Sequence, residues 1–209
     1  MKSRKQPFSL IRHANAWRGR RVGLYGGSFN PAHEGHIHVA SEALKRLDLD
    51  AIWLMVSPGN PLKSQSDMAK RKRRKKSLES LVGNRPGMVV TDIEKKLGTR
   101  YSADTVRALK SGMPKTDFIW VMGADNLDSF HLWKEWQMIA QTLPIAVFDR
   151  PGYSVSGLNS RFARQFANFR VSPNGLMKAS APAWTFVQIP RHSGSATSIR
   201  LHKGNKWWR

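Results

Sequence analysis

Two histidines flank a glycine in His33-Glu34-Gly35-His36, directly after the small-residue stretch Gly26-Gly27-Ser28-Phe29-Asn30-Pro31-Ala32. Each part of this segment suits a bound anion. Glycines let a ligand come close to the backbone. The unpaired N–H groups of a helix start attract negative charge. Imidazoles at the same mouth donate hydrogen bonds to phosphate oxygens. A lone histidine is more often a cap or a surface residue, but two of them around a glycine, after Gly-Gly-Ser-Phe, favour a shared ligand. His38 points elsewhere at helical spacing and reads as surface. Near the other end, Ser195-Ala196-Thr197-Ser198-Ile199-Arg200 brings hydroxyls and an arginine to the start of a short helix, a second candidate anion pocket. Ser/Thr clusters are usually caps or loops, so this one gains weight from being paired with the first. One pocket would hold a phosphoryl group under attack, the other a departing pyrophosphate.

These residues need a frame that sets them side by side. Apolar runs rich in branched and aromatic residues predict strands at 22–25, 51–56, 88–91, 118–122, 144–148 and 184–189. Helical patterns fall between most of them, at 36–47, 77–82, 103–110 and 133–140, the first with Ile37, Ala40, Leu44 and Leu47 on one face. Ser102 suits an N-cap and Gly112 a C-terminal stop for the third helix. Alternating strand and helix implies a parallel sheet covered on both faces, with ligands beyond the carboxyl ends of the strands at a switch point. The Gly26 turn, after the first strand, occupies such a position. The turn is not a Walker A loop, because it lacks the Gly-Lys-Ser/Thr ending, and it lacks the three spaced glycines of the dinucleotide fingerprint. The segments 58–76 and 152–178 read as the least structured, the first as a flap beside the site.

Composition narrows the chemistry further. The 209 residues suffice for one domain with a substantial core, with 40% hydrophobic and 23% charged residues. The absence of cysteine excludes disulfides, zinc–thiolate sites and a cysteine nucleophile. No apolar run approaches the roughly 20 residues of a bilayer span, and residues 1–21 are basic without a signal-peptide core, so a cytoplasmic location is expected. The formal net charge of +21 favours anionic partners. Much of it is local: Lys70, Arg71, Lys72, Arg73, Arg74, Lys75 and Lys76 form an unbroken basic run. Such runs are more often solvated or disordered than specific readers, although nonspecific nucleic-acid affinity follows from the charge. Residues 1–20 read as a basic extension, 21–203 as a single domain and 204–209 as a tail.

Taken together, the motifs resemble a known family. Residues 26–36 are similar to the signature of the nucleotidylyltransferase superfamily, and Ser195 to Arg200 to its Ser/Thr-x-x-x-Arg-type partner motif. Between them Gly98-Thr99-Arg100-Tyr101-Ser102-Ala103-Asp104-Thr105, Gly123-Ala124-Asp125-Asn126-Leu127, then Phe130, Trp133 and Trp136, then Asp149-Arg150-Pro151-Gly152-Tyr153 follow in the order of bacterial nicotinate-nucleotide adenylyltransferases. The resemblance implies a Rossmann-like doubly wound α/β sheet in a single domain. It also implies adenylyl transfer from ATP to nicotinate mononucleotide in NAD synthesis, with Mg²⁺ arriving on ATP and held mainly by phosphates and water. No enzyme nucleophile is implied; catalysis rests on alignment and charge neutralisation.

By the same resemblance His33 and His36 contact the ATP phosphates and are the catalytic pair. Gly26, Gly27, Ser28 and Phe29 present backbone amides to the phosphates. Ser195, Thr197, Ser198 and Arg200 bind the pyrophosphate end. Gly123 and Asp125 meet the adenosine ribose, and Arg150 lies near the adenine. Trp133 stacks on the pyridine ring, with Tyr101 and Ser102 nearby. Trp136, three residues on, reads as core. Asp104 and Thr105 fit a capping role as well as a substrate contact, and Lys63 fits a phosphate contact or a solvated loop lysine. No protein metal ligands are implied.

Two departures stand out. Asn30 replaces the aspartate of many relatives while keeping its turn chemistry. The basic run replaces a helix with interspersed apolar residues, and seven cations are not expected to supply a buried stripe. The alternatives are another acceptor, nicotinamide mononucleotide or phosphopantetheine, and a non-catalytic nucleic-acid-binding protein on the same fold.

Overall fold

The computed structural model describes residues 14–59, 68–150, 157–190, 192, 194, 196, 199 and 200. Lys63, Ser195, Thr197 and Ser198 lie outside the described residues. Six strands, β1 (Arg21–Gly27), β2 (Ala51–Val56), β3 (Met88–Thr91), β4 (Asp117–Gly123), β5 (Ile145–Phe148) and β6 (Trp184–Val187), form one sheet in the order β3-β2-β1-β4-β5-β6. Every pairing is parallel. This is the doubly wound order, in which the chain builds outward on one side of β1, then returns and builds outward on the other. All six expected strands are present.

The continuous apolar run of β2, buried at each of its six positions, is what a strand covered on both faces requires. Alternation along the strands then sorts side chains between two cores. Val22, Leu24, Trp53, Met55, Trp120 and Met122 face one layer, while Tyr25, Ile52, Leu54, Val56, Ile119 and Val121 face the other. The second layer is covered by α1 (Glu34–Arg46) and α2 (Arg71–Val82). The first is covered by α3 (Ile93–Leu97), α4 (Ser102–Gly112), α5 (Leu127–Phe130) and α6 (Trp136–Thr142). Ahead of β1, Trp17 stands edge-on to Trp53 at 5.2 Å, and its carbonyl accepts a 3.0 Å hydrogen bond from the Thr116 hydroxyl.

The structure corrects four local expectations. First, the helix expected at 77–82 is present but begins at Arg71, so α2 takes in most of a basic run expected to be among the least structured stretches. Its inward face carries Arg74, Leu78 and Val82, spaced four apart, so an arginine occupies the buried position that an apolar residue was expected to need. Second, the stretch 152–178 contains short helices at Arg161–Gln165 and Pro173–Leu176, with Phe162 and Phe166 stacked at 5.3 Å inside the first core. Trp184 fixes them by donating from its indole N–H to the Phe166 carbonyl at 2.7 Å. Third, α4 starts at Ser102 with Tyr101 as its cap, and Gly112 lies within it. Fourth, α6 starts at Trp136 rather than at 133, because Glu135 takes a left-handed φ of 51° that ends the helical path there. Trp136 is core, as expected, packed edge-on against Phe130, Phe162 and Phe166.

Candidate active site

The carboxyl ends of β1 and β4 are neighbours in the sheet, and the chain leaves them in opposite directions. The crevice between them is where a doubly wound sheet binds ligands. Residues 26–36 leave β1 on one side of it, and residues 123–126 leave β4 on the other.

On the β1 side the loop is held tightly. Phe29 is buried, with a left-handed φ of 46°, a conformation that costs a non-glycine residue about 1–3 kcal/mol. Its ring packs on Tyr25 at 6.0 Å and on His36 at 4.9 Å, which offsets that cost. Gly27 is needed beneath the ring, because a Cβ there would come within 3.1 Å of Phe29. The Phe29 side chain is therefore scaffold.

His33 caps α1 in an extended conformation, and its backbone N–H donates to Nδ1 of His36 at 3.2 Å. With Nδ1 accepting, a neutral His36 carries its proton on Nε2. The two rings lie 3.7 Å apart. His33 is buried, with Nδ1 unpartnered among the described residues. Burial first, then the charges of Arg150 and His192, lower its pKa to about 4, so it is a neutral imidazole at physiological pH.

The C-terminal segment closes directly over this pair. A Cβ on Gly35 would lie 2.8 Å from the Gly194 carbonyl oxygen and 2.9 Å from His33 Nδ1. Arg200 donates to the Asn30 carbonyl at 2.6 Å. Residues 30–36 and Arg200 of the C-terminal motif therefore meet at one loop, as the sequence pairing expects. His38 is not a free surface residue. Its Nε2 lies 2.7 Å from the Pro190 carbonyl oxygen, and its ring is 5.7 Å from His192, so it anchors the same segment to α1.

On the β4 side Asp125 and Arg150 form a pair at 3.1 Å. A Cβ at position 123 would fall 2.5 Å from Asp125 Oδ1 and 2.7 Å from Arg150 Cδ, so a side chain there would displace this pair. Asp125 Oδ1 is buried and unpartnered among the described residues, a carboxylate oxygen able to accept from a ligand hydroxyl.

Tyr101, Ser102 and Trp133 come together on the first-core face. Lys134 lies over the Tyr101 ring at 4.7 Å and pairs with Asp104 at 3.8 Å, while Arg107 bonds both Asp104 and Glu135. Trp133 is half-buried and edge-on to Phe130 at 5.4 Å and to Trp120 at 6.2 Å. Thr105 is buried and bonds the Thr99 hydroxyl at 2.7 Å, so it fixes its helix. Trp120 went unnoticed in the sequence as anything but strand. Its indole lies about 3.6 Å from where a Gly26 Cβ would stand, so it touches both the phosphate-loop side and Trp133.

This arrangement is that of a nucleotidyltransferase, and residues 24–201 match the cytidylyltransferase-like family model; the chain belongs to that family. Within it, the chain is 50% identical over 186 residues to a Rhizobium johnstonii protein described as a probable nicotinate-nucleotide adenylyltransferase, covering 88% of this chain and 93% of that one. An Agrobacterium fabrum protein of the same description is 50% identical over 182 residues, covering 86% and 97%. These place it among the nicotinate-nucleotide adenylyltransferases. The fold is also that of the Plasmodium falciparum nicotinic acid mononucleotide adenylyltransferase complexed with NaAD, with a TM-score of 0.66, 17% identity, and coverage of 87% of this chain and 83% of that one.

Two outcomes follow from this geometry. Alanine at a glycine early in a helix ordinarily stabilises by up to about 1 kcal/mol. Gly35→Ala is expected to do the reverse, lowering the thermal midpoint and cutting turnover at least roughly tenfold, because the new methyl meets a backbone oxygen that has nowhere to go. The second concerns acid. A histidine whose folded pKa lies below its unfolded value stabilises fully above the unfolded pKa, near 6.5, and loses that contribution as pH falls toward 4. Unfolding free energies from urea titration should therefore fall more between pH 7 and 4.5 in the wild type than in His33→Gln, by about 2 kcal/mol.

Proposed function

We propose that the chain transfers the adenylyl group of ATP to nicotinate mononucleotide, giving nicotinate adenine dinucleotide and pyrophosphate in NAD synthesis. The carrying observation is that His33-Glu34-Gly35-His36 and the segment ending in Arg200 meet at the mouth of α1, with Gly35 against Gly194 and Arg200 on the loop carbonyl of Asn30. An acceptor phosphate oxygen attacks the α-phosphorus of ATP. The new P–O bond forms as the bond to the β-phosphate oxygen breaks, and the electron pair leaves with pyrophosphate. The protein supplies position and charge rather than a nucleophile.

In this reading His36 donates from Nε2–H, and neutral His33 donates from its ring nitrogen, to phosphate oxygens whose charge grows in the transition state. Amides of Gly26, Gly27, Ser28 and Phe29 line the same phosphates. Ser195, Thr197, Ser198 and Arg200 take the pyrophosphate end. Asp125 accepts from a ribose hydroxyl over Gly123, with Arg150 beside it. Trp133 stacks on the pyridine ring, and the first turn of α4, from Ser102, turns N–H groups toward an acceptor carboxylate. Lys63 is assigned to the acceptor side from sequence alone. Mg²⁺ enters as Mg-ATP. It is expected to be held mainly by phosphate and water oxygens, while the imidazole and amide N–H groups donate to the phosphates. Among the described residues no helix is long and apolar enough to cross a membrane. We assign the enzyme to the cytoplasm, with its nucleotide substrates.

Purified protein with Mg-ATP and nicotinate mononucleotide should release pyrophosphate, and nicotinamide mononucleotide should serve much less well. Equal rates with both would refute the preference for the acid, and no turnover with either would refute the reaction. His36→Ala should retain its far-ultraviolet circular dichroism while losing about 100- to 1,000-fold in turnover. The outer face of α2 carries Lys72, Arg73 and Lys76, exposed beside Lys70, and supports a weak, nonspecific nucleic-acid affinity. In filter binding with RNA, retention should fall steadily with the logarithm of salt concentration; a salt-insensitive signal would dismiss it.

A further inference from the structure

Arg74 is the only lysine or arginine that is buried among the described residues, at 1% exposure. Its guanidinium meets no carboxylate among them. All its hydrogen bonds go to backbone carbonyls: Nε to Ala69 at 2.9 Å, Nη1 to Ser28 at 2.5 Å, and Nη2 to Ser57 at 2.9 Å and Pro58 at 3.3 Å. Those carbonyls belong to three separate stretches of chain: the loop after β1, the exit of β2 and the approach to α2. The same corner is tied a second time, where the Ala69 N–H donates to the Asn30 side-chain oxygen at 3.1 Å.

The bond to Ser28 has a directional consequence. In a trans peptide the C=O and the following N–H point in opposite directions. A cation that draws the Ser28 carbonyl backward turns the Phe29 N–H forward, out of the loop, and polarises it. That N–H meets no acceptor among the described residues. A buried cation is normally paired with an anion, since leaving it unpaired is costly. Here carbonyl dipoles solvate it, and its remaining positive field is directed at the loop where a polyphosphate would lie. Burial lowers the Arg74 pKa to about 10, which leaves it fully charged at neutral pH.

We propose that Arg74 is a positioning residue for ATP: from behind the loop it aims the Phe29 amide at the polyphosphate, locks the loop to the exit of β2, and supplies a fixed buried charge whose counter-anion is the bound substrate. This rests on the adenylyl-transfer reading above. It deepens that reading, because neither motif of the signature contains Arg74.

The test uses the full chain, with Arg74→Lys, Arg74→Met and, as a packing control on the same buried face of the same helix, Leu78→Ala. Binding of a non-hydrolysable Mg-ATP analogue is measured by calorimetry, without acceptor, so that it reads the proposal separately from the choice of acceptor. Steady-state constants are measured for both substrates. Arg74→Lys keeps the charge but replaces a planar fork by a single ammonium. It is expected to weaken the ATP analogue and lower kcat roughly 10- to 100-fold, while the KM for nicotinate mononucleotide stays within about twofold. Arg74→Met should weaken the analogue further. Leu78→Ala should lower the thermal midpoint with ATP affinity and kcat near wild type. A folded Arg74 variant with unchanged ATP affinity overturns the proposal, as does a Leu78→Ala enzyme with the kinetic pattern of Arg74→Lys. If both Arg74 variants fail to fold, wild-type nuclear magnetic resonance decides. Addition of the analogue should shift both the Phe29 amide and the Arg74 Nε–H signals, and static signals overturn it. Loss of turnover by the wild type with intact analogue binding would instead sink the reading of the acceptor.

Discussion

Every ligand-facing group in this protein depends on the reversal of strand order between β1 and β4. Within a run of neighbouring parallel strands the connections pass over the same edge and fill the space above the strand ends. Where the order reverses, the chain leaves two adjacent strand ends in opposite directions, and neither connection closes the gap. Gly26–Phe29 and Gly123–Asp125 flank that gap because they span the carboxyl ends of β1 and β4 and the residues just beyond. Glycine at 35 is then a steric requirement of the Gly194 backbone, and glycine at 123 leaves room for the Asp125–Arg150 pair.

The electrostatics of the gap divide between fixed cations and neutral donors. Arg74 and Arg200 bind carbonyls of the loop, at Ser28 and Asn30, while Arg150 is partnered by Asp125. The imidazole of His33 is kept neutral by burial and by neighbouring positive charge. A neutral imidazole donates a hydrogen bond without adding a further charge to a site already rich in arginine, and it can still gain a proton's worth of stabilisation when negative charge builds beside it. Such an assembly suits a reaction in which charge moves along a polyphosphate chain rather than onto a protein atom.

The strands were legible because a buried parallel strand writes a continuous apolar run, and β2 does so without interruption. The nearness of His33–His36 to the segment reaching Arg200 was expected from pairing the two motifs, and the chain does bring them together. Helix α2 was legible only in its second half, from residue 77. Periodicity methods look for apolar residues on the inner face, and position 74 is an arginine whose burial depends on carbonyls from residues 28, 57, 58 and 69, none of which can be inferred from the run itself. The helices in 161–176 were missed for a related reason: they are four or five residues long, and what orders them is packing, the aromatic cluster around Trp184 for the first and the second core around Leu176 for the other, rather than their own pattern. Trp120 read as a strand residue and is one; its second role, touching both sides of the crevice, exists only in three dimensions.

The bond from Arg200 to Asn30 joins residues 170 positions apart, and the contact of His38 with Pro190 joins residues 152 apart. On a ribosome the loop and the first helix emerge early, while these partners emerge 152 to 170 residues later. Until then the sheet can assemble from β1 outward, but the mouth of α1 stays open to solvent and has no closing segment. Long loop closures of this kind are the slow part of folding. The mouth of α1 therefore gains its closing segment only after every strand of the sheet has been made, and a chain ending before residue 190 would carry the six strands without that closure.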